Sequence, residues 1–334
     1  MEVVAGMSDL AGARMAFDQA AGWIGRISNE YFNSWANFEL VRALFEAAAV
    51  SGEQGFARQA ESFLPRIQNP YFRLLSRCEG AKHMLAFGRK KEVRELVPAL
   101  EMEARALDKE HSRASALCEC AEVREKLGDP KGCELDLRDA EGIAAGIDNS
   151  YFRSWAQSGL IRSSARIARD TGNTRLLDKY RVIIEKLEDQ YLQAWAWAEL
   201  ARTLCKLKDP KTCKKSLELA WDCAKQVRDP VNAAMGMTET ALAALDQGNR
   251  KLAEQVLNAN NIRAEESKEH QKALVLAESA RMMAALGDEL GAKRKIQASI
   301  DLAQPVGYEY FRAWAFSGVV RALVFIGVAL VKKP

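Results

Sequence analysis

One phrase recurs along this chain and limits what it can fold into. Tyr31-Phe32-Asn33-Ser34 leads into Trp35-Ala36. The phrase returns as Tyr71-Phe72-Arg73, Tyr151-Phe152-Arg153-Ser154-Trp155-Ala156, Tyr191-Leu192-Gln193-Ala194-Trp195-Ala196 and Tyr310-Phe311-Arg312-Ala313-Trp314-Ala315. Degenerate copies begin at His111, Val231 and His270, so eight copies stand 40 residues apart, with one step of 39. A fixed period of this size marks a repeat architecture, in which each unit buries its apolar face only against its neighbours.

Each copy contains two helical patterns. In the copy from Tyr191, the apolar residues Trp195, Ala198, Leu200, Ala201 and Leu204 follow the helical period. Asn29, Asn69, Asn149, Asp189 and Asp229 stand just ahead of this first helix (helix A) as N-caps, and Pro70 and Pro230 suit its first position. Asp129-Pro130 and Asp209-Pro210 open the second helix (helix B), and Gly128, Gly172, Gly248 and Gly287 supply the permissive turn residue before it. Small residues at Ala57, Cys133, Cys213, Ala253 and Ala292 let A and B approach closely. The copies from Tyr31 and Tyr151 carry about one extra helical turn before Gly52 and Gly172.

The order Leu200-Ala201, Leu204, turn, Cys213, Leu217, Ala220 resembles the tetratricopeptide repeat, with its large-small pair on helix A and its small-bulky-small set on helix B. Leu40-Val41-Leu44, Ala241-Ala244 with Ala253 and Leu257, and Ser279-Ala280-Met283 with Ala292 and Ile296 fit the same frame. The resemblance covers nearly the whole chain and departs in period, 40 here against about 34 in the family. It implies an all-α fold, a right-handed α-α superhelix of about eight helix pairs. The repeats start near residues 31, 71, 111, 151, 191, 231, 270 and 310 of a single repeat domain spanning 1–334, preceded by an unpaired helix over 7–28.

Composition narrows the class further. The 334 residues are 48% hydrophobic and 28% charged, which suits a folded soluble chain. A net charge of +3 is small for a nucleic-acid binder of this length. Seven cysteines, none before Cys78, do not form the paired pattern of a secreted scaffold, so reduced thiols in a cytoplasmic protein are expected. The opening Met-Glu-Val-Val-Ala-Gly lacks the basic-then-apolar order of a signal peptide. Residues 313–331 are apolar enough to span a membrane, but Arg321 in their middle and their match to the repeat argue against an anchor. The apolarity of this last helix calls for a cover: a second copy of the chain, a partner or, less favoured, a membrane.

In the resembled family helix A lines a concave groove. The column facing it here is Arg42, Lys82, Glu122, Arg162, Arg202, Leu242, Arg281 and Arg321. Its six basic members are the candidate ligand-binding residues, a positive ladder for an acidic segment or a free C-terminus of a partner protein. The competing reading is an ion pair three residues apart, since Glu39, Glu79, Glu199 and Glu278 precede four of the six. Gly159 and Gly318 hold that slot before Arg162 and Arg321, which favours a groove role for these two. The Trp35, Trp155, Trp195 and Trp314 column and the Tyr-Phe pairs are expected to pack between repeats.

No catalytic residue, metal site or cofactor is expected. Cys118-x-Cys120 diverges on a helix, and no Ser-His-Asp, Cys-His or phosphate-cradling pattern occurs. The expectation is a non-catalytic protein-interaction scaffold, with homodimerisation through the last helix as a further possibility. Single-stranded nucleic-acid binding is the alternative, and a closed α/α-barrel enzyme the least supported.

Overall fold

The computed structural model describes residues 9–332; the N-terminal hexapeptide and Lys333 of the sequence reading lie outside them. The chain is an all-α helical-repeat fold of solenoid type, with sixteen α-helices and one 3-10 turn, Leu64–Arg66, among the described residues. The A helices are α2 (Glu30–Ser51), α4 (Pro70–Ala86), α6 (Glu110–Leu127), α8 (Ser150–Thr171), α10 (Gln190–Lys206), α12 (Pro230–Asp246), α14 (Glu269–Ala285) and α16 (Glu309–Val331). The B helices are α1 (Leu10–Ile24), α3 (Gln54–Phe63), α5 (Lys90–Arg105), α7 (Pro130–Ala145), α9 (Arg175–Ile184), α11 (Pro210–Gln226), α13 (Arg250–Glu266) and α15 (Glu289–Ala303).

Local chemistry sets these boundaries. Asn29, Asn69, Asn149, Asp189 and Asp229 each accept a hydrogen bond from a backbone N–H of the first turn of their A helix. Such a cap contributes about 1 kcal/mol. The extra turn in α2 and α8, 22 residues each, is taken from the B helices that follow, α3 and α9, 10 residues each. The period therefore stays at 40 while the turn shifts along the chain.

The A-to-B turn needs one left-handed residue. Gly52, Gly88, Gly128, Gly172, Gly248 and Gly287 supply it with φ between 71° and 88°. In the fifth repeat Lys208 stands in this column with φ 60°. A side chain there costs roughly 1 kcal/mol, because Cβ crowds the following carbonyl.

The helices group into two compact units. Unit 2 runs from Gly88 to Asn260. Its A helices α6, α8, α10 and α12 lie side by side in chain order, and α7, α9 and α11 each pack on the A helix before them. Unit 1 joins residues 1–87 to 261–334 and has the same two layers built from both ends of the chain. Its A helices run in the spatial order α14, α16, α2, α4, backed by α15, α1 and α3.

The helix read as unpaired is therefore paired. Helix α1 takes the place of a B helix against α16. Phe17, with no exposed surface, sits against Gly327, where an added Cβ would lie 2.6 Å from the ring. Trp23 packs on Phe316 with ring centroids 5.1 Å apart, Ser28 Oγ donates to Glu309 Oε1 at 2.8 Å, and Asp9 N donates to Leu330 O at 3.2 Å. This accounts for the apolarity of α16. It is long and apolar enough to cross a membrane, yet its apolar window is 83% buried, with α14, α1 and α2 against it. The cover sought in a second copy or a partner is the chain's own first helix.

Two further expectations change. Cys205 and Cys213 form a disulfide across the α10–α11 turn, whereas Cys78, Cys118, Cys120, Cys133 and Cys223 are not disulfide-bonded. The Tyr-Phe pairs divide their roles. Phe32 and Phe72 are buried between helices, while Tyr31, Tyr151 and Tyr310 are nearly half exposed at the N-terminal ends of their helices.

Candidate functional site: the charged faces of the A helices

The heptad offset between Trp35 and Arg42, with Glu39 between them, puts all three on one face of α2. The same set recurs as Trp195, Glu199 and Arg202 on α10. The four expected ion pairs are all present: Glu39 with Arg42 at 2.5 Å, Glu79 with Lys82 at 3.1 Å, Glu199 with Arg202 at 3.4 Å and Glu278 with Arg281 at 2.8 Å. Glu39, Glu199 and Glu278 are buried, Glu278 being 2% exposed, whereas in the Glu79–Lys82 pair the lysine is the more buried side chain. An unpaired carboxylate so deeply buried would be costly, so the basic partner compensates a charge that the fold has buried.

The remaining members of the two columns pair between repeats. In unit 2 Glu239 of α12, whose own repeat has Leu242 in the basic column, reaches back to Arg202 at 3.1 Å. Arg202 also meets Asp246 at 3.3 Å. Burial disfavours its charge, but Glu239, Glu199 and Asp246 outweigh that and raise its pKa above the ordinary value. Glu122, the acidic exception in the basic column, accepts from Ser163 Oγ at 2.6 Å and pairs with Arg166 at 3.2 Å. Arg166 lies between Glu119, Glu122 and Glu199, and Arg169 meets Glu199 at 3.2 Å.

Arg162 and Arg321 follow glycine for a packing reason. A Cβ at Gly318 would lie 2.7 Å from Leu274 of α14, and one at Gly159 would lie 3.3 Å from Ser115 of α6. Neither arginine stands alone. Each lies over the tryptophan of the next repeat in space: Arg162 over Trp195 at 3.9 Å to the ring centroid, Arg321 over Trp35 at 5.3 Å. Arg321 also pairs with Glu278 of α14 at 3.3 Å, so the counter-charge missing from its own helix comes from the neighbouring one. In unit 1 burial pushes the Glu39 carboxyl up, but Arg42, Arg321 and Arg281, with the Trp35 indole donor, together hold it below its usual range.

The six candidate residues thus fall in two groups. Arg42, Lys82, Arg281 and Arg321 belong to unit 1, and Arg162 and Arg202 to unit 2. The side chain of Arg42 is 45% exposed, whereas those of Lys82, Arg202, Arg281 and Arg321 are 10–15% exposed. The arrangement is a lattice of guanidinium, carboxylate and indole groups in which almost every charge is already matched.

Sequence reasoning missed two things here. One is the set of inter-repeat pairs, legible only as Glu119 and Glu239 standing in the acidic column of repeats without a basic partner. The other is a column two residues after each Tyr. Asn33, Arg73, Arg113, Arg153, Gln193 and Arg312 donate to backbone carbonyls at the end of the preceding B helix or in the loop after it. That column ties six of the B–A corners and is structural, with Ala233 and Lys272 in the slot at the other two.

Other chemistry is sparse. His111 stacks on Phe152 and His270 on Phe311, both with ring centroids 4.3 Å apart, while buried His83 lies between Phe45 and Phe87. Among the described residues no group of three or more His, Cys, Asp or Glu is placed to hold a metal ion. An open groove of about 350 Å³ between α1 and α3 is lined by Arg14, Asp18, Glu53, Phe56, Arg58 and Gln59. Its charges pair across it, Arg14 with Glu53 at 3.3 Å.

No family of known proteins and no curated protein matches the chain. Among solved structures it is similar to a protein described as a circular tandem repeat protein with novel repeat topology and enhanced subunit contact surfaces. The identity is 15%, the TM-score 0.31, and the match covers 89% of this chain and 84% of that one.

Proposed function

We propose that the protein is a non-catalytic protein-interaction scaffold of tetratricopeptide-like type, whose A-helix faces hold an extended or helical segment of a partner. The observation that carries this reading is the register shared by both units: aromatic, acidic and basic side chains repeat at the same helical positions. Such a surface offers rigid anchors of the kind that dominate protein–protein recognition, Trp and Arg above all. A guest carboxylate would take a guanidinium in bidentate geometry and must compete with the glutamate already there. The reading therefore favours a partner segment with several acidic residues or a free C-terminus over one with a single charge. Docking would centre on Arg42 in unit 1 and Arg162 in unit 2.

The matched charges weigh against single-stranded nucleic acid, whose binding draws on cations without internal partners. A dimer through α16 would require α1 to be displaced. The test is fluorescence anisotropy with labelled acidic decapeptides bearing free carboxyl ends, titrated with wild type, Arg42→Ala and Arg162→Ala. At least a tenfold loss in one variant is expected, the scale of a charged hydrogen-bonded contact. Equal affinity in both variants, or binding only to oligouridylate with a steep salt dependence, would remove the proposal.

A further inference from the structure

The α10–α11 corner differs from the other A–B turns in three ways at once. It has Lys208 where six turns have glycine, and it carries the disulfide Cys205–Cys213. It is also crowded with cations: Lys206, Lys208, Lys211, Lys214 and Lys215 are all exposed within ten positions of sequence. The related α6–α7 corner shows what is particular here. Cys133 occupies the place of Cys213, but Glu125 stands where Cys205 would be, and Gly128 makes the turn.

We propose that Cys205–Cys213 is a reversible thiol–disulfide exchange site, a redox-modified corner served by a small anionic disulfide of the glutathione type. The two sulfurs are unequal. Cys205 lies partly exposed in the last turn of α10, whereas Cys213 is 1% exposed in the first turn of α11. An incoming disulfide therefore meets Cys205 first. The exposed lysines of this corner attract the carboxylates of the reagent. The Cys205 thiolate attacks one sulfur of the reagent, its S–S bond breaks, and one glutathione thiolate leaves. Cys213, its proton lost to solvent, attacks the Cys205 sulfur of the mixed disulfide and expels the second glutathione. Two protein thiols are oxidised to one disulfide as one glutathione disulfide is reduced to two glutathiones. Reduction runs the same steps in reverse, entering at Cys205.

The bridge does the work that glycine does in the other turns. It holds closed a corner that the left-handed Lys208 tends to open, so the stability of this corner follows the thiol–disulfide balance around it. Reduction frees the corner and the first turn of α11 and leaves the glycine turns untouched.

The full-length chain provides the test. Fully reduced protein is mixed with glutathione disulfide and followed by peptide mass mapping, with Cys213→Ser included to trap the first adduct. The expected result is closure of the 205–213 bridge in wild type and a glutathione adduct on Cys205 in the trap. The adduct should not fall on Cys223, whose thiol is pushed up to about 11 by burial and Asp222. Amide exchange over residues 208–213 should then accelerate roughly tenfold to a hundredfold on reduction, the scale expected for releasing a short cross-link. Reduced Lys208→Gly should retain most of the protection. Adduct on Cys223 but not on Cys205, failure of the bridge to close, or exchange indifferent to reduction would each overturn the proposal.

Discussion

The seat of α1 on α16 can be tested through Phe17 and Gly327. Phe17 is fully buried, makes an edge-to-face contact with Phe56 at 5.5 Å, and leaves no room for a Cβ at Gly327. Phe17→Ala removes a buried ring and should destabilise unit 1 by about 3–5 kcal/mol. Gly327→Ala gains about 1 kcal/mol of helix propensity but drives a methyl into the ring, a strain of about 1–3 kcal/mol. Alone it should therefore be neutral to destabilising. Once Phe17 is alanine the obstacle is gone, and the same change should stabilise by about 1 kcal/mol. The assay is urea unfolding followed by the emission of Trp23, which lies on α1 against Phe316. A double-mutant cycle should show coupling of about 1–3 kcal/mol, with the effect of Gly327→Ala reversing sign between backgrounds. Additivity within about 0.5 kcal/mol would mean that α1 does not rest on α16.

Three further outcomes are expected. Lys208→Gly, with the bridge intact, should raise the urea midpoint of unit 2 by an amount worth about 0.5–1 kcal/mol, because it relieves a left-handed side chain. Glu278→Gln should destabilise unit 1 by about 3 kcal/mol in the same measurement, since Arg281 and Arg321 both lean on that buried carboxylate. The Asp136 carboxyl is raised to about 7 by burial and by Glu101, against the pull of Arg124 and Arg105. An acid whose folded pKa is raised loses stability as pH climbs from its unfolded value near 3.8 to about 7, because the folded state holds the proton longer. Asp136→Asn should therefore gain on wild type between pH 4 and pH 7, by up to about 4 kcal/mol for a rise from 3.8 to about 7. A difference between the two unfolding curves that stays flat over that range would refute the assignment.

Much of the fold was legible because the signals were local and repeated eightfold. Caps such as Asn149 and turn glycines such as Gly172 act within a few residues, so sequence spacing locates them. The four i,i+3 ion pairs are local for the same reason. Partners far apart along the chain were illegible. Nothing in Phe17 or Gly327 alone says that they meet, and Glu278 looks like the partner of Arg281 until Arg321 arrives from the next helix. The bridged corner was hidden by its regularity, since Cys213 fills a slot in which any small residue packs. The spacing of the charge column is visible in the sequence, but its pairing depends on carboxylates from neighbouring repeats, and only packing reveals those.

The borrowed place of α1 bears on how the protein is made. Helix α1 leaves the ribosome well before its seat on α16 is synthesised. At 5–20 residues per second about 15–60 s separate the end of α1 from the end of α16. Throughout that interval Phe17, Ile24 and the α2 surface that meets α16 have no partner to cover them, while residues 88–260 can already have assembled. The nascent α1–α2 segment is thus open to chaperone capture or proteolysis over that interval, and completion of α16 ends its vulnerability.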